Sequence, residues 1–217
     1  MGIKNKKILI TCGPTWVPVD AVRVISNQSS GQLGHILAKN FGKAGARVTV
    51  LEGPVQNPLK RRDIKVLKFS FFDELFGLLK KELRKKYDIV IHAAAAADYK
   101  PAKKISGKIN SQAAPLKLDL VPNPKMINVI KKIAPKTFLI GFKLEPKISR
   151  QHLKKITQKL FHEAHCDLVV ANSLNGKNYS GYIVDEQFRV LAHAASRQKL
   201  AQSLMNILNT KICACLP

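Results

Sequence analysis

Between residues 7 and 172 the sequence repeats one pattern: a short apolar run, a turn rich in glycine or polar residues, then an amphipathic segment. The runs lie at residues 7–11, 46–51, 65–69, 87–92, 137–142 and 167–172, and most lack the polar alternation of a strand with one wet face. Runs of this kind suit a parallel sheet covered on both sides. The segments between them have helical spacing. Residues 34–45 close on Gly45, as helices often do. Residues 72–86 place Leu75, Leu78, Leu79 and Leu83 on one face and lysines on the other. Further helices are predicted over 124–134, 148–165 and 196–208. Strands alternating with helices predict an α/β fold, a Rossmann-like doubly wound, mostly parallel sheet. Residues 101–123 break the rhythm with lysines and weak alternation around Leu116, Leu118 and Leu120. They read as an inserted flap or antiparallel β-ribbon within one domain spanning 1–217, and residues 181–191 read as a hairpin.

The chain has 217 residues, enough to bury a sizeable core. No apolar run approaches the roughly 18–20 residues of a membrane span. The apolar stretch near the N-terminus is too short for a signal peptide, so the expected location is cytoplasmic. Cys12, Cys166, Cys213 and Cys215 are scattered and are expected to be reduced thiols, with Cys12 as a small core residue. Thirty-seven Lys and Arg against 14 Asp and Glu give a net charge of +23, a field that favours anionic partners. The clusters at 4–7, 60–62, 80–86, 103–108, 131–136 and 143–159 are spread along the chain, and aromatics make up only 6%. A nucleic-acid reader concentrates charge and interleaves stacking rings, so solvated faces are the expectation here.

In an open α/β sheet, ligands bind beyond the carboxyl ends of the strands, where helix N-termini present their N–H groups. Gly13 and Thr15 follow the first run; Ser29, Ser30 and Gly31 open the first helix and form, with them, the candidate phosphate- and substrate-binding set. Ala93 to Ala97 follow the fourth run. Five alanines suit either a tight strand-to-helix corner or a surface on which a nucleotide lies. Asp98 is a lone carboxylate, suited to a salt bridge or to a base, ribose or metal contact. Of the dinucleotide fingerprint, Gly31 and Gly34 supply half, well downstream of the first run, while Glu52 ends the second run where a ribose contact would sit. An NAD(P)-binding Rossmann enzyme is one alternative this leaves open. A non-catalytic basic nucleotide- or nucleic-acid-binding protein is another. No zincin, nucleophile-elbow or Walker A motif occurs. Among the six histidines only His162 and His165 are close in sequence, on what reads as a solvated helix face, and no metal site is expected.

Taken in order, residues 10–15 (ITCGPT), 20–31 (DAVRVISNQSSG), 48–55 (VTVLEGPV), 92–101 (HAAAAADYKP), Lys108, 120–124 (LVPNP), Gly141-Phe142 and 167–172 (DLVVAN) resemble phosphopantothenate–cysteine ligase. The resemblance implies a ligase of coenzyme A biosynthesis. The carboxylate of 4′-phosphopantothenate attacks CTP, pyrophosphate leaves, and L-cysteine displaces CMP from the acyl-cytidylate. It also implies Mg2+ carried mainly by the nucleotide phosphates, a homodimer with the flap as dimer element, and a stand-alone form of a domain often fused to a flavin decarboxylase.

By position, Asn27 matches the asparagine that contacts the acyl-cytidylate, and Lys108 the first lysine of a flap motif that supports turnover. Ala93, Ala94 and Asp98 match the nucleotide corner. Pro124, Lys125, Met126, Ile127 and Phe142 match further nucleotide contacts, and Lys159 a lysine on the basic helix. Asn110 and Ser111 stand where the flap motif has two more lysines. Lys143-Leu144-Glu145 stands where Ala-Ala-Glu is common, and Glu163 where a second helix lysine is expected.

Overall fold

The computed structural model describes residues 2–103, 105–110, 116–176 and 178–214, with side chains up to residue 211. Its centre is strand β1 (Lys7–Cys12), which pairs in parallel with β4 (Arg47–Glu52) on one side and β6 (Ile89–His92) on the other. Between β1 and β4 the chain forms a small hairpin, β2 (Trp16–Pro18) with β3 (Val24–Ser26), and then helix α1 (Gln32–Lys43). Beyond β4 come β5 (Lys65–Lys68) and α2 (Phe72–Leu83). After β6, a two-stranded ribbon of β7 (Tyr99–Pro101) and β8 (Leu120–Pro122) leads to α3 (Ile127–Ile133) and β9 (Phe138–Leu144). A short 3₁₀ turn runs into α4 (Leu153–His162). The chain finishes with β10 (Leu168–Asn175), β11 (Asn178–Asp185), β12 (Val190–Ala194) and α5 (Arg197–Ala214).

The large sheet has eight strands in the order β12-β11-β10-β9-β6-β1-β4-β5. Six neighbours, from β10 to β5, run parallel, and β11 and β12 add an antiparallel edge. Alternation along β1 explains the two-sided cover. Ile8, Ile10 and Cys12 join a cluster with Leu37 and Phe41 of α1 and Leu200 and Leu204 of α5. Leu9 points into the opposite cluster with Leu75 and Leu79 of α2, Ile130 of α3 and Phe161 of α4. The expected α/β class and mostly parallel sheet are therefore present. So is a ribbon, although its first strand lies at Tyr99–Pro101, mostly before the predicted 101–123, and pairs with Leu120–Pro122.

Several boundaries differ for local reasons. Helix α1 starts at Gln32, two residues before the predicted start, because Gly31 caps it in the left-handed region at φ 68°, which favours glycine. No side chain caps this helix, so its serines are not the N-cap that a Ser-rich start suggests. The basic helix predicted over 148–165 is a 3₁₀ turn plus α4, and it ends at His162, so His165 lies beyond it with φ 53°. The predicted hairpin at 181–191 is the β11–β12 turn, and β11 also pairs back along the whole of β10. Helix α5 runs on to Ala214; Cys215 and Ser111 lie outside the described residues, as does the Cys213 side chain. The β2–β3 hairpin, with three-residue strands, had no periodicity to detect.

Close approach of α1 to β1 depends on Gly34. A Cβ there would fall 2.4 Å from the Cys12 Cβ, whereas one at Gly77, exposed on α2, would meet nothing within 4 Å. Gly34→Ala is expected to lower stability by about 1–3 kcal/mol through overpacking. Gly77→Ala should raise it by about 0.5–1 kcal/mol through helix propensity. Urea unfolding of the two variants beside the parent checks both signs.

Candidate functional site

The sheet's strand order reverses at β1 and β6, and past their carboxyl ends the two segments stay in register. The Ala93 N–H donates to the Thr11 carbonyl (3.1 Å) and the Ala95 N–H to the Gly13 carbonyl (2.9 Å). Side chains continue the ladder. The Ala94 N–H donates to Thr11 Oγ1 (3.1 Å) and the Ala97 N–H to Thr15 Oγ1 (2.9 Å). Thr11 Oγ1 also lies 3.0 Å from His92 Nδ1. The five alanines are thus a backbone shelf, partly exposed along most of its length and held from below by two buried threonines.

Asn27 rests on this shelf. Its side-chain amide donates to the carbonyls of Ala95 (3.3 Å) and Ala96 (3.1 Å), leaving the carboxamide oxygen for a ligand. At the far end, Asn123 Nδ2 donates to the Ala97 carbonyl (3.0 Å) and its backbone N–H to the Asp98 carbonyl (2.8 Å). Asn123 is buried, and sequence reasoning assigned it no role; its place in LVPNP was the signal available. Asp98 makes an exposed ion pair with Lys125 (2.6 Å).

A cavity of about 1040 Å³ opens over this shelf. Asn27, Ser29, Ser30 and Gly31 form one wall beside the start of α1, where the Gly31 N–H donates to Ser29 Oγ and the Gln32 N–H to Ser30 Oγ (3.4 Å each). Ala93, Ala94 and Asp98 form the floor. Pro124, Lys125, Met126 and Ile127 line a third side, and Phe142 and Lys159 a fourth. Lys155 and Arg197 join the wall without having been singled out in the sequence, and Lys143, named there only as a departure from the family pattern, joins them. Two predicted residues are not in the wall: Thr15 is fully buried beneath the shelf, and Gly13, at φ 80°, packs on Gly53. Lys108 is not in the wall either. It is exposed on the flap, between Gly107, whose carbonyl accepts from the Ala21 N–H (3.0 Å), and Ile109. The Ile109 N–H donates to Asp20 Oδ2 (3.0 Å), and Arg23 donates to the Ile109 carbonyl (3.3 Å). These bonds fix the backbone on both sides of Lys108.

Electrostatically the cavity is cationic, with Lys125, Lys143, Lys155, Lys159 and Arg197 facing Asp98, Glu145 and Glu163. The hydrogen bond from Ile109, with those from Val22 and Arg23, holds Asp20 well below the usual carboxylate range despite the opposing effect of burial. Burial pushes His92 down to about 4 and, aided by the charge of Glu52, pushes the Cys12 thiol up, so Cys12 is a packed core thiol and no nucleophile.

Residues 3–213 match the family of the DNA/pantothenate metabolism flavoprotein C-terminal domain. The coenzyme A biosynthesis bifunctional protein CoaBC of Thermococcus kodakarensis is 37% identical over 174 residues, covering 79% of this chain and 42% of that protein. The chain spans about half the length of the curated relatives it matches. The crystal structure of the DNA/pantothenate metabolism flavoprotein from Streptococcus pneumoniae superposes with a TM-score of 0.84 at 25% identity, covering 96% of this chain and 99% of that one. A Cab2 mutant in complex with phosphopantothenate-cysteine shares the fold, with a TM-score of 0.78 at 18% identity, covering 97% of this chain and 89% of that one.

A neutral buried His92 makes stability depend on pH. Its folded pKa lies below the unfolded value of about 6.5, so stability is complete above that pH and declines as pH falls toward about 4. Urea unfolding across that window should show a loss of roughly 3 kcal/mol. His92→Gln, which keeps a hydrogen-bonding group for Thr11, should flatten most of that slope.

Proposed function

The chain belongs to the DNA/pantothenate metabolism flavoprotein C-terminal domain family, and from that premise we propose that it joins 4′-phosphopantothenate to L-cysteine through an acyl-cytidylate made from CTP. The carrying observation is that Asn27 is bonded to the carbonyls of Ala95 and Ala96, so the acyl-side loop and the nucleotide shelf are one surface. A two-step reaction needs this, because activation at phosphorus and transfer at the acyl carbon take place on the two sides of one acyl-phosphate linkage.

The substrates are polyanions, and the cavity supplies lysines, Arg197 and the uncapped amides of α1. A carboxylate oxygen of phosphopantothenate attacks the α-phosphorus of CTP, and the bond to pyrophosphate breaks. The cysteine amine then attacks the acyl carbon, CMP departs with the bonding electrons, and the amine loses a proton to form the amide. Residues 93–97 offer main-chain groups for the base, while the cavity lysines and the α1 amides neutralise charge gathering on phosphorus. The α1 amides lie beside Asn27 and suit the acyl phosphate. Mg2+, carried mainly by the nucleotide, would neutralise triphosphate charge at this site. Asp98 and Glu145 are already paired with Lys125 and Lys143, so protein oxygens would be minor ligands.

Lys108 stands outside the wall, and a second copy of the chain is the source we assign for flap closure over the cavity. The ribbon and hairpin expose Tyr99, Leu120, Val121, Val22 and Val24, apolar side chains that a homodimer contact would cover. Among the described residues no helix is long and apolar enough to cross a membrane.

Pyrophosphate release is the direct test. It should require 4′-phosphopantothenate and proceed faster with CTP than with ATP. No release with either nucleotide, together with tight, salt-sensitive RNA binding, would replace this reading with a nucleic-acid-binding one. Asn27→Asp turns a donor facing two carbonyls into a carboxylate. It should slow transfer to cysteine by roughly 10²-fold while affecting activation less, as read by single-turnover assays of each half-reaction. Lys108→Gln should reduce turnover at least severalfold with an unchanged thermal midpoint; a large drop in the midpoint would make Lys108 a structural residue.

A further inference from the structure

We propose that Cys12, His35 and Glu52 form a binding site for one zinc-class divalent cation beneath the loop that opens α1. The three residues are far apart in sequence and come from three elements. Cys12 ends β1, Glu52 ends β4, and the parallel register sets them side by side on the same face of the sheet. His35 sits in the first turn of α1, which Gly34 allows to lie directly on Cys12. One ligand atom from each residue (Sγ, Nε2 and a carboxylate oxygen) lies within 4.8 Å of the other two.

Burial and polarity point the same way. Cys12 and Glu52 are each 1% exposed. The His35 side chain is 12% exposed, but its Nε2 is fully enclosed. That nitrogen approaches Glu52 Oε1 to 2.7 Å, yet it has no aligned hydrogen-bond partner. The 2.7 Å separation is an ion-pair distance. Two ligands at about 2.0–2.2 Å from a tetrahedral Zn2+ sit about 3.3 Å apart, so the ion would take the proton's place and part the two groups by roughly half an ångström. The Leu59 N–H donates to Glu52 Oε1 (2.8 Å) and orients the carboxylate, as outer partners of metal ligands do. On binding, Cys12 gives its proton to solvent. Thiolate, carboxylate and a divalent ion then sum to zero charge, which suits an apolar setting.

The S, N, O donor set selects a borderline-soft ion such as Zn2+ over Mg2+ or Ca2+. Three protein ligands leave a fourth tetrahedral position for water, and Cys12 also borders the cavity. This site is independent of the ligase reading, and its test involves no activity.

The full chain, stripped with chelator, is titrated with Zn2+ against a chromogenic competitor, and separately with Co2+ followed by visible absorption. One equivalent should bind, and Co2+ should develop a thiolate charge-transfer band. Cys12→Ser should abolish that band. Cys12→Ser and His35→Gln should each weaken Zn2+ binding tenfold or more, while His162→Gln on the exposed face leaves it unchanged. X-ray absorption of the Zn2+-loaded parent, which needs no variant to fold, should report one sulfur at about 2.3 Å with N/O ligands at about 2.0–2.2 Å. Absence of a bound equivalent, two sulfurs in the shell, or a band retained in Cys12→Ser would overturn the site and leave a plain His35–Glu52 ion pair.

Discussion

The structure hangs on the carboxyl end of β1, where one strand supplies pairing on both edges and then continues to organise chain that is no longer sheet. Thr11 and Thr15 lie fully buried there, and their hydroxyls accept the N–H groups of Ala94 and Ala97. Buried main-chain groups must be satisfied, and these two bonds do so at the point where the β1–β6 ladder gives out. Residues 93–97 can therefore remain extended without large side chains. A shelf of small residues with fixed carbonyls and amides results, and Asn27 and Asn123 take their positions from it at the edge of the cavity.

Glycines set the second constraint, which is distance. Gly31 ends the loop in a conformation that favours glycine, and Gly34 brings α1 onto β1. A half-fingerprint of the dinucleotide-binding type therefore serves helix–strand packing here, with the helix N-terminus aimed into the cavity. The same contact brings His35 over Cys12 and Glu52, so one packing requirement generates two chemical environments: a helix start that lines the cavity and an enclosed cluster of metal-ligand type.

Charge is divided by position. Most lysines and arginines lie on exposed faces, but a subset from α4, β9, α5 and the α3 entry converges on the cavity. Acidic groups with shifted pKa lie elsewhere, at Asp20, Asp63, Glu82 and Asp185, each bonded to neighbouring donors. Of these, Asp20 matters to the site, since it ties the flap backbone beside Lys108 to the turn before β3.

Local pattern was enough for the α/β class, for the six parallel strands and the ribbon, and for the loop around Asn27, because short apolar runs, amphipathic spacing and glycine punctuation each reflect interactions between near neighbours. Motif order located Asn27, the alanine shelf and Asp98 for the same reason. Tertiary structure alone decided the rest. Gly13 and Thr15 follow β1 as a phosphate loop would, yet packing turns them under the shelf. Asn123 and Arg197 reach the site region from distant stretches of chain, and Cys12, His35 and Glu52 meet only through the β1–β4 register and the seating of α1. Periodicity records which face of an element is buried; it holds no information about which distant face it will meet, and that meeting is where this protein's chemistry is assembled.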